Sequence, residues 1–573
     1  MILIGGWRLE LIIECWGMYA MLKKRVSRSL LAYVLLGGTL AGCSGGGTEA
    51  EPALDTTESA GTESLSLPIV EKPITIKWYQ RNYVETELKS MGEMEAFKEL
   101  EKRTGIHIEF VHPPNSGNNE ALNVMLATGD YPDVIFWDWA GVPRGLTGLI
   151  NDGVAIKLND YLDKYAPNYK KALEKYPEVK KYVTLDDGTY PSFFQLDPDP
   201  MRTSYNGLII RKDWLDKLGL QPPTTIDEWH NVLRAFKEKD PNGNGKADEI
   251  PYSIAKAPSG TALGGIGSGM SEFTAAWGIL DGFYKDPASG KLLYGPLQPQ
   301  YKDYLTTMAN WYEEGLIDSE FASTDSKGLT TKLQNELVGT TYGSLGSLIG
   351  NTTTVARTKN PNFSLIGVKP PIGPAGKPYN YAASTIQKVG LSAIISTSSK
   401  YPKEIVRLID YMYSDEGQAL LNWGIEGKSY TVKDGNKTYT DDIMRNKDGK
   451  APQQAIYHYA TPVFGHTKVM EYDAWSQISL PFPEQKESIK TFASADTSLN
   501  TPTTLSFTAE ESSTLGSIMS DINTYKQETV LRILMGTDPV SKIDELQERL
   551  KSMGIEEAGQ IYQAAYDRFN ARK

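Results

Sequence analysis

The sequence predicts an α/β protein, and three observations carry that prediction. Between residues 73 and 136, two-residue alternation gives way twice to helical periodicity, so the order reads strand, helix, strand, helix, strand. The connections are long enough for helical crossovers, which pair strands in parallel. After residue 68 about 505 residues remain, too many for one compact core and suited to two lobes. Composition is ordinary for a globular body, with 40% hydrophobic and 23% charged residues, 32 Tyr and 11 Trp.

The chain opens on a targeting segment. Lys23, Lys24, Arg25 and Arg28 form a basic region, and residues 30–40 supply an apolar run of signal-peptide length, too short to span a bilayer. Glu10 and Glu14 fit poorly ahead of it, which makes Met21 the expected start of translation. Leu40-Ala41-Gly42-Cys43 looks like a bacterial lipobox, which implies cleavage before Cys43 and its diacylation; the alternative is an ordinary signal peptide with a stray Cys. Residues 1–42 are thus the signal region. Residues 43–68, the lipidated Cys and a run of Gly, Ser, Thr and Glu, cannot bury a core and form a flexible tether.

Charge and cysteine narrow the classes. Without the five basic and two acidic residues before position 43, the chain carries 54 basic against 69 acidic groups, a formal charge of −15. Such a surface repels phosphate backbones and anionic lipid, so nucleic-acid binding is not expected and the lipid is the membrane link. Of the two Cys, Cys15 falls in the discarded segment and Cys43 is lipidated, so the folded body has no disulfide.

Taken in order, residues 73–79 alternate as a first strand, followed by a polar turn at Gln80-Arg81-Asn82. Residues 91–104 read as a helix with Met94, Phe97 and Leu100 on one stripe, 106–111 as a strand, 119–128 as a helix and 133–136 as a third strand. Ligands bind beyond the carboxyl ends of such strands, which nominates Trp137-Asp138-Trp139: indole faces suit the C–H faces of a sugar and carboxylates its hydroxyls, although either Trp could equally be core. Thr225 and Glu228 form a capping box for a helix through Trp229, Leu233 and Phe236. Trp277, after the glycine-rich residues 260–270, is a candidate cleft residue, and residues 301–315 are a further helix. Residues 339–350 are glycine-punctuated around Tyr342, where backbone amides could face a ligand. Residues 388–396 read as a buried strand, 404–413 as a helix, and 510–535 and 541–568 as outer amphipathic helices with a break at Gly554.

The sharpest local motif is Asp240-Pro241-Asn242-Gly243-Asn244-Gly245-Lys246-Ala247-Asp248-Glu249. Side-chain oxygens at loop positions 1, 3, 5 and 9, Gly at 6 and a backbone carbonyl at 7 suit a calcium-sized cation, and the same string also makes a good metal-free turn. Pro251 stands at position 12, so Glu249 would have to close the site. Enzymatic signals are poor. The five His show no HExxH, there is no Gly-x-Ser-x-Gly elbow, and Gly427-Lys428-Ser429 lacks the earlier glycine of a phosphate loop. Acids are too abundant to nominate or exclude a glycosidase pair.

Five blocks carry a family resemblance. Gly129-Asp130-Tyr131-Pro132-Asp133-Val134-Ile135-Phe136-Trp137, residues 210–220 and Ser414-Asp415-Glu416-Gly417-Gln418 resemble the extracellular solute-binding proteins of ABC sugar importers, the maltose-binding-protein-like family. Residues 422–430 and 554–568 resemble its Gram-positive lipoprotein branch for complex oligosaccharides. The resemblance implies a two-lobed, type II periplasmic-binding-protein (Venus-flytrap) fold with three interlobe crossings, near residues 190–195, Tyr342-Gly343 and Trp423-Gly424. It implies a first lobe of residues 69–190 plus 342–423 and a second of 191–341 plus 424–573. It further implies a calcium loop at Asp240, Asn242, Asn244, the Lys246 carbonyl, Asp248 and Glu249. Expected ligand contacts are Arg81, Asn82, Trp137, Trp139, Trp277, Tyr342, Trp423, Glu426, Tyr430 and Trp475. The implied function is a monomeric, lipid-anchored receptor on the extracellular face of the membrane. It makes or breaks no bond, captures an oligosaccharide and delivers it to ABC permease subunits. An anchored carbohydrate-active enzyme, adhesin or sensor is the alternative.

Overall fold

The computed structural model describes residues 65–139, 142, 144–256, 268–381, 389–463 and 465–572, so Cys43, the signal region and most of the tether lie outside the described residues. In chain order the strands are β1 (Ile74–Tyr79), β2 (Ile106–Val111), β3 (Val134–Trp137), β4 (Phe193–Leu196), β5 (Asn206–Arg211), β6 (Ile250–Tyr252), β7 (Phe283–Lys285), β8 (Leu292–Tyr294), β9 (Val338–Ser344), β10 (Leu365–Gly367), β11 (Val389–Ile395), β12 (Tyr430–Lys433) and β13 (Asn436–Tyr439). They form two main sheets. The first has the order β2-β1-β3-β11-β4, the second β10-β5-β9-β6.

The opening alternation folds as expected. β1 pairs in parallel with β2 from Ile74 opposite Ile106 to Tyr79 opposite Val111, and with β3 through Trp78 opposite Val134. The helix Glu95–Thr104 crosses between β1 and β2, buries Ala96, Phe97 and Leu100, and stops at Gly105, whose φ of 77° suits a residue without Cβ. β11 enters antiparallel between β3 and β4, which joins the late chain to the early sheet.

In the second sheet, β5 alternates faces. Leu208 and Ile210 point into a large core that includes Trp214, Trp229, Phe236, Phe273 and Trp311, while Ile209 meets Leu345, Leu365, Trp475 and Phe492 on the opposite side. The helix Ile226–Glu238 starts with the expected box: the Glu228 amide donates to Thr225 Oγ1 at 3.2 Å, and Glu228 Oε2 accepts the Thr225 amide at 3.2 Å.

The lobe boundaries differ from those expected. Tyr342 is not at a crossing but inside β9, opposite Leu208. The glycines of this segment serve packing: a Cβ on Gly339 would run into the Phe236 ring and one on Gly343 into Leu348. The chain stays on the second sheet through β10 and rejoins the first only at Val389. Nor is Trp423-Gly424 a crossing. Chain beyond it still pads the first lobe, where the Glu95 and Ala96 amides donate to the His458 and Tyr459 carbonyls at 2.9 and 3.1 Å. The third crossing lies at residues 461–472 and runs beside the first, at residues 197–205. The Leu196 amide donates to the Lys468 carbonyl at 2.9 Å, and the Met470 amide to the Leu196 carbonyl at 2.8 Å.

One buried acid of the first lobe gives a test. Asp410, in the helix Pro402–Tyr413, accepts the Tyr169 amide at 2.9 Å and Asn168 Nδ2 at 2.8 Å. Burial pushes its carboxyl up to about 6. The folded state therefore binds this proton more tightly than the unfolded chain, whose Asp titrates near 3.9, and the stabilisation is lost as pH rises through the folded value. Between about pH 4 and pH 7, Asp410→Asn should gain about 3 kcal/mol relative to wild type, measured by urea unfolding at each pH.

Candidate functional site

Where the carboxyl ends of the first sheet face the second lobe, a cavity of about 380 Å³ opens between residues 138–194 and 390–392 on one side and residues 503–519 with Tyr562 on the other. Its walls are aromatic and aliphatic, from Trp139, Tyr182 and Phe194 across to Phe507, Leu515 and Met519. Its polar side chains are Asp138, Arg144 and Arg572, the hydroxyl residues Thr147, Thr184, Ser392, Thr503, Thr504, Ser506 and Ser512, and the phenols of Tyr182 and Tyr562. Such a cavity has the size and makeup of a small-molecule site.

The local chain explains the wall. Trp139 follows β3, is 5% exposed, and is pinned by its indole N–H to the Ser392 carbonyl of β11 at 3.0 Å. Opposite, the extended residues 501–507 lead into Thr508, the N-cap of the helix Ala509–Leu534. Phe507 meets Tyr562 edge-on at 5.3 Å, and Tyr562 stacks on Phe283 at 4.2 Å, which fixes both rings. The Thr504 hydroxyl is buried with no protein partner. Both guanidiniums are paired, Arg144 with Asp152 and Arg572 with Asp186.

Of the expected contacts, only Trp139 lines this cavity. Trp137 is core, 4% exposed, with its ring 5.8 Å from Tyr79. Trp277 packs on Tyr304 at 5.6 Å within the second-lobe core. Trp423 is 1% exposed, donates its indole N–H to Glu471 Oε2 at 2.6 Å, and packs with the buried Tyr430 and with Tyr439. Glu426 is exposed on the loop before β12. Trp475 belongs to the back core and lies under the Arg202 guanidinium at 4.9 Å. These rings were misplaced for one reason: large aromatic groups bury themselves first, and helical or strand spacing does not tell a lining ring from a core ring.

Asn82 is a loop staple rather than a free amide. Its Nδ2 donates to the Leu88 and Lys89 carbonyls at 3.0 and 3.1 Å, and its Oδ1 accepts the Val84 amide at 3.0 Å. Arg81 is exposed just past β1, its guanidinium 6.0 Å from the Tyr83 ring centre. Burial pushes the Tyr83 hydroxyl up to about 12, with Arg81 opposing and Asp138 adding to the shift. Arg81, Tyr83 and Asp138 therefore gather where β1 and β3 end, as open α/β sheets direct. Tyr342 is half-buried near Glu272, Tyr381 and Tyr205, and burial holds its hydroxyl well above the usual phenol range. Sequence reasoning missed Tyr182, Phe194, Phe507 and Tyr562. The one available signal was the hydroxyl-rich Thr501-Pro502-Thr503-Thr504-Leu505-Ser506 before a capping box.

The loop at residues 240–249 folds around its own oxygens. Asp240 accepts the amides of Gly243, Asn244 and Gly245 at 2.8 to 3.1 Å, Asn242 Oδ1 that of Asn244, and Asn244 Oδ1 that of Lys246. Both Glu249 carboxylate oxygens are buried and make no well-formed hydrogen bond; burial raises its pKa, Asp240 and Asp248 add to the shift, and the backbone amides of Glu249 and Asn242 oppose it. The amide nitrogens of Asn242 and Asn244 donate to Asp248. Among the described residues no group of three His, Cys, Asp or Glu is gathered closely enough to hold a metal as it stands.

The sequence pattern of the bacterial extracellular solute-binding proteins matches residues 89–419. The chain belongs to that family. The solute-binding fold is the two-lobed type II periplasmic-binding-protein architecture described above. Among relatives, the fructooligosaccharide ABC transporter substrate-binding protein FusA of Streptococcus pneumoniae is 27% identical over 568 residues, 96% of this chain and 99% of that protein. The polygalacturonan/rhamnogalacturonan-binding protein YtcQ of Bacillus subtilis is 27% identical over 439 residues, 74% of this chain and 78% of that one. A crystal structure of the alginate-binding protein AlgQ2 without calcium ion has a TM-score of 0.65 at 25% identity, covering 87% of this chain and 99% of its own.

The indole of Trp139 joins two elements of the cavity wall, so its polar atom can be tested alone. Trp139→Phe keeps most of the buried ring but leaves the Ser392 carbonyl without this donor, and should cost about 1–3 kcal/mol in urea unfolding.

Proposed function

We propose that this chain is an extracellular receptor, anchored through a lipid on Cys43, that closes its two lobes around an oligosaccharide and delivers it intact to an ABC importer. The observation that carries the reading is the interlobe cavity at the carboxyl ends of the first sheet: rings on both walls, with hydroxyls and one carboxylate between them. Sugars present C–H faces to rings and hydroxyls to polar groups, and such a wall serves both. The relatives named for carbohydrate binding support it. The family and the relatives named are binding proteins, which supports a ligand that is held rather than cut.

Thermal shift across oligosaccharide pools tests this. One class should raise Tm, by the logarithm of its saturation, and be recovered uncut by chromatography; cleavage products would overturn the receptor reading. Phe507→Ala should weaken binding of that class about tenfold, read by calorimetry.

We also infer that the loop at residues 240–249 holds calcium as a structural ion, through Asp240, Asn242, Asn244, the Lys246 carbonyl, Asp248 and Glu249. The support is the buried Glu249 carboxyl gathered with Asp240 and Asp248, like charges that raise its pKa and that a divalent cation would neutralise. Asn242 and Asn244 would turn their amide oxygens inward in place of the nitrogens that now reach Asp248. At calcium about 100-fold above Kd, the ion should add about 2.7 kcal/mol. A chelator should remove that increment from the wild type and leave Glu249→Gln unaffected, as read by Tm.

A further inference from the structure

The three crossings are not the only covalent or ionic link between the lobes. The helix Pro177–Val183 packs on the first sheet against β4 and β11, and Asp186 stands in the turn just after it. The helix Ile555–Ala571 belongs to the second lobe, where Ile555 and Ala558 enter the large core. Yet its carboxyl end reaches across. Arg572 Nε and Nη2 donate to Asp186 Oδ1 at 2.8 and 2.7 Å, and Arg568 Nε donates to Asp186 Oδ2 at 2.9 Å. Arg572 Nη1 donates to the Lys181 carbonyl at 2.8 Å, Lys181 Nζ to the Asn570 carbonyl at 2.8 Å, and Tyr182 meets Phe569 edge-on at 5.2 Å.

We propose that Asp186 is a positioning residue of the binding cycle, the first-lobe half of an ionic clasp with Arg568 and Arg572 that holds the lobes shut over the cavity. Burial separates this contact from an ordinary surface pair. The Arg572 side chain is 2% exposed and that of Asp186 25%, and both carboxylate oxygens are occupied by guanidiniums from the other lobe. The clasp is also at the cavity: Arg572 and Tyr182 line it. Arg568 is held ready from behind by Glu511, at 2.6 Å, and by the Ser506 carbonyl, both on its own lobe. A ligand that fills the cavity and the clasp that spans its rim therefore favour the same closed state, and their free energies add.

Closure is read without any ligand, so the outcome is separate from that of the oligosaccharide reading. Small-angle scattering of the ligand-free full-length chain should give a larger radius of gyration for Asp186→Asn than for wild type, with the closed-to-open ratio about tenfold lower. Asp186→Glu should restore most of the closed form. Asp538→Asn, which removes an ion pair to Arg532 wholly within the second lobe, should scatter like wild type. If Asp186→Asn folds poorly by circular dichroism, Arg568→Gln, which removes the more exposed of the two guanidiniums on Asp186, decides by the same scattering and should also open the chain. Superimposable profiles for wild type and a folded Asp186→Asn or Arg568→Gln, or equal opening by Asp538→Asn, would each overturn the clasp.

Discussion

The structure depends on the pairing of its first and third crossings. Leu196, the last residue of β4, bonds both Lys468 and Met470, so two chains pass between lobes as one short ribbon. Charges bury themselves around it. Arg202 Nε donates to both Asp197 oxygens at 3.0 and 3.2 Å and its Nη2 to the Val463 carbonyl at 3.3 Å, while its plane covers Trp475 of the second lobe. Burial holds the Asp197 carboxyl above its usual range despite that partner. Lys468, fully buried, donates to the carbonyls of Leu421 and Thr461, and burial, helped by the charge of Arg202, pushes its ammonium well below the usual lysine range. A buried charge is expensive unless its partners stay put, so these groups fix where the ribbon can bend.

That constraint makes the interlobe cavity a consequence of topology. With the ribbon at one side, the lobes meet across the carboxyl ends of β1, β3 and β4, and groups that no single lobe could assemble converge there. Trp139 and Phe194 come from one side, Phe507 and Leu515 from the other. Contacts made by both walls exist only when the lobes are together, so a bound solute shifts the population toward closure without a new mechanism.

Much of this was legible in the sequence, and the failures share a cause. Local rules held where local physics decides: the parallel β1–β2–β3 unit, the Thr225–Glu228 box and the helix stop at Gly105 sit within a residue or two of their expected places. The crossings implied by the family resemblance differ because glycine at these positions serves close packing rather than a change of lobe. Gly343 yields to Leu348 inside a strand, whereas Gly424, at φ 91°, ends a helix under Ser429 and Tyr459 without leaving the lobe. The site failed for a long-range reason: residues 503–519 and Tyr562 reach the first lobe only through packing of the last three helices, and no periodicity encodes that docking.

The loop at residues 240–249 shows what a polar element away from the cavity can do. Asn242 lies within reach of the Glu336 carbonyl, and the Glu336 side chain accepts from Arg211 Nη2 at 2.8 Å and from Asn360 at 2.9 Å. Arg211 is the last residue of β5, has no exposed side chain, grips Asp213 through two bonds and is stacked between Trp214 and Phe363. The loop, β5 and the turn before β9 are thus one connected polar unit under the second sheet. Because β5 follows the first crossing directly, stiffening that unit stiffens the second lobe as a body and leaves bending to the ribbon. A rigid lobe transmits ligand contact into rotation; a soft one would absorb it.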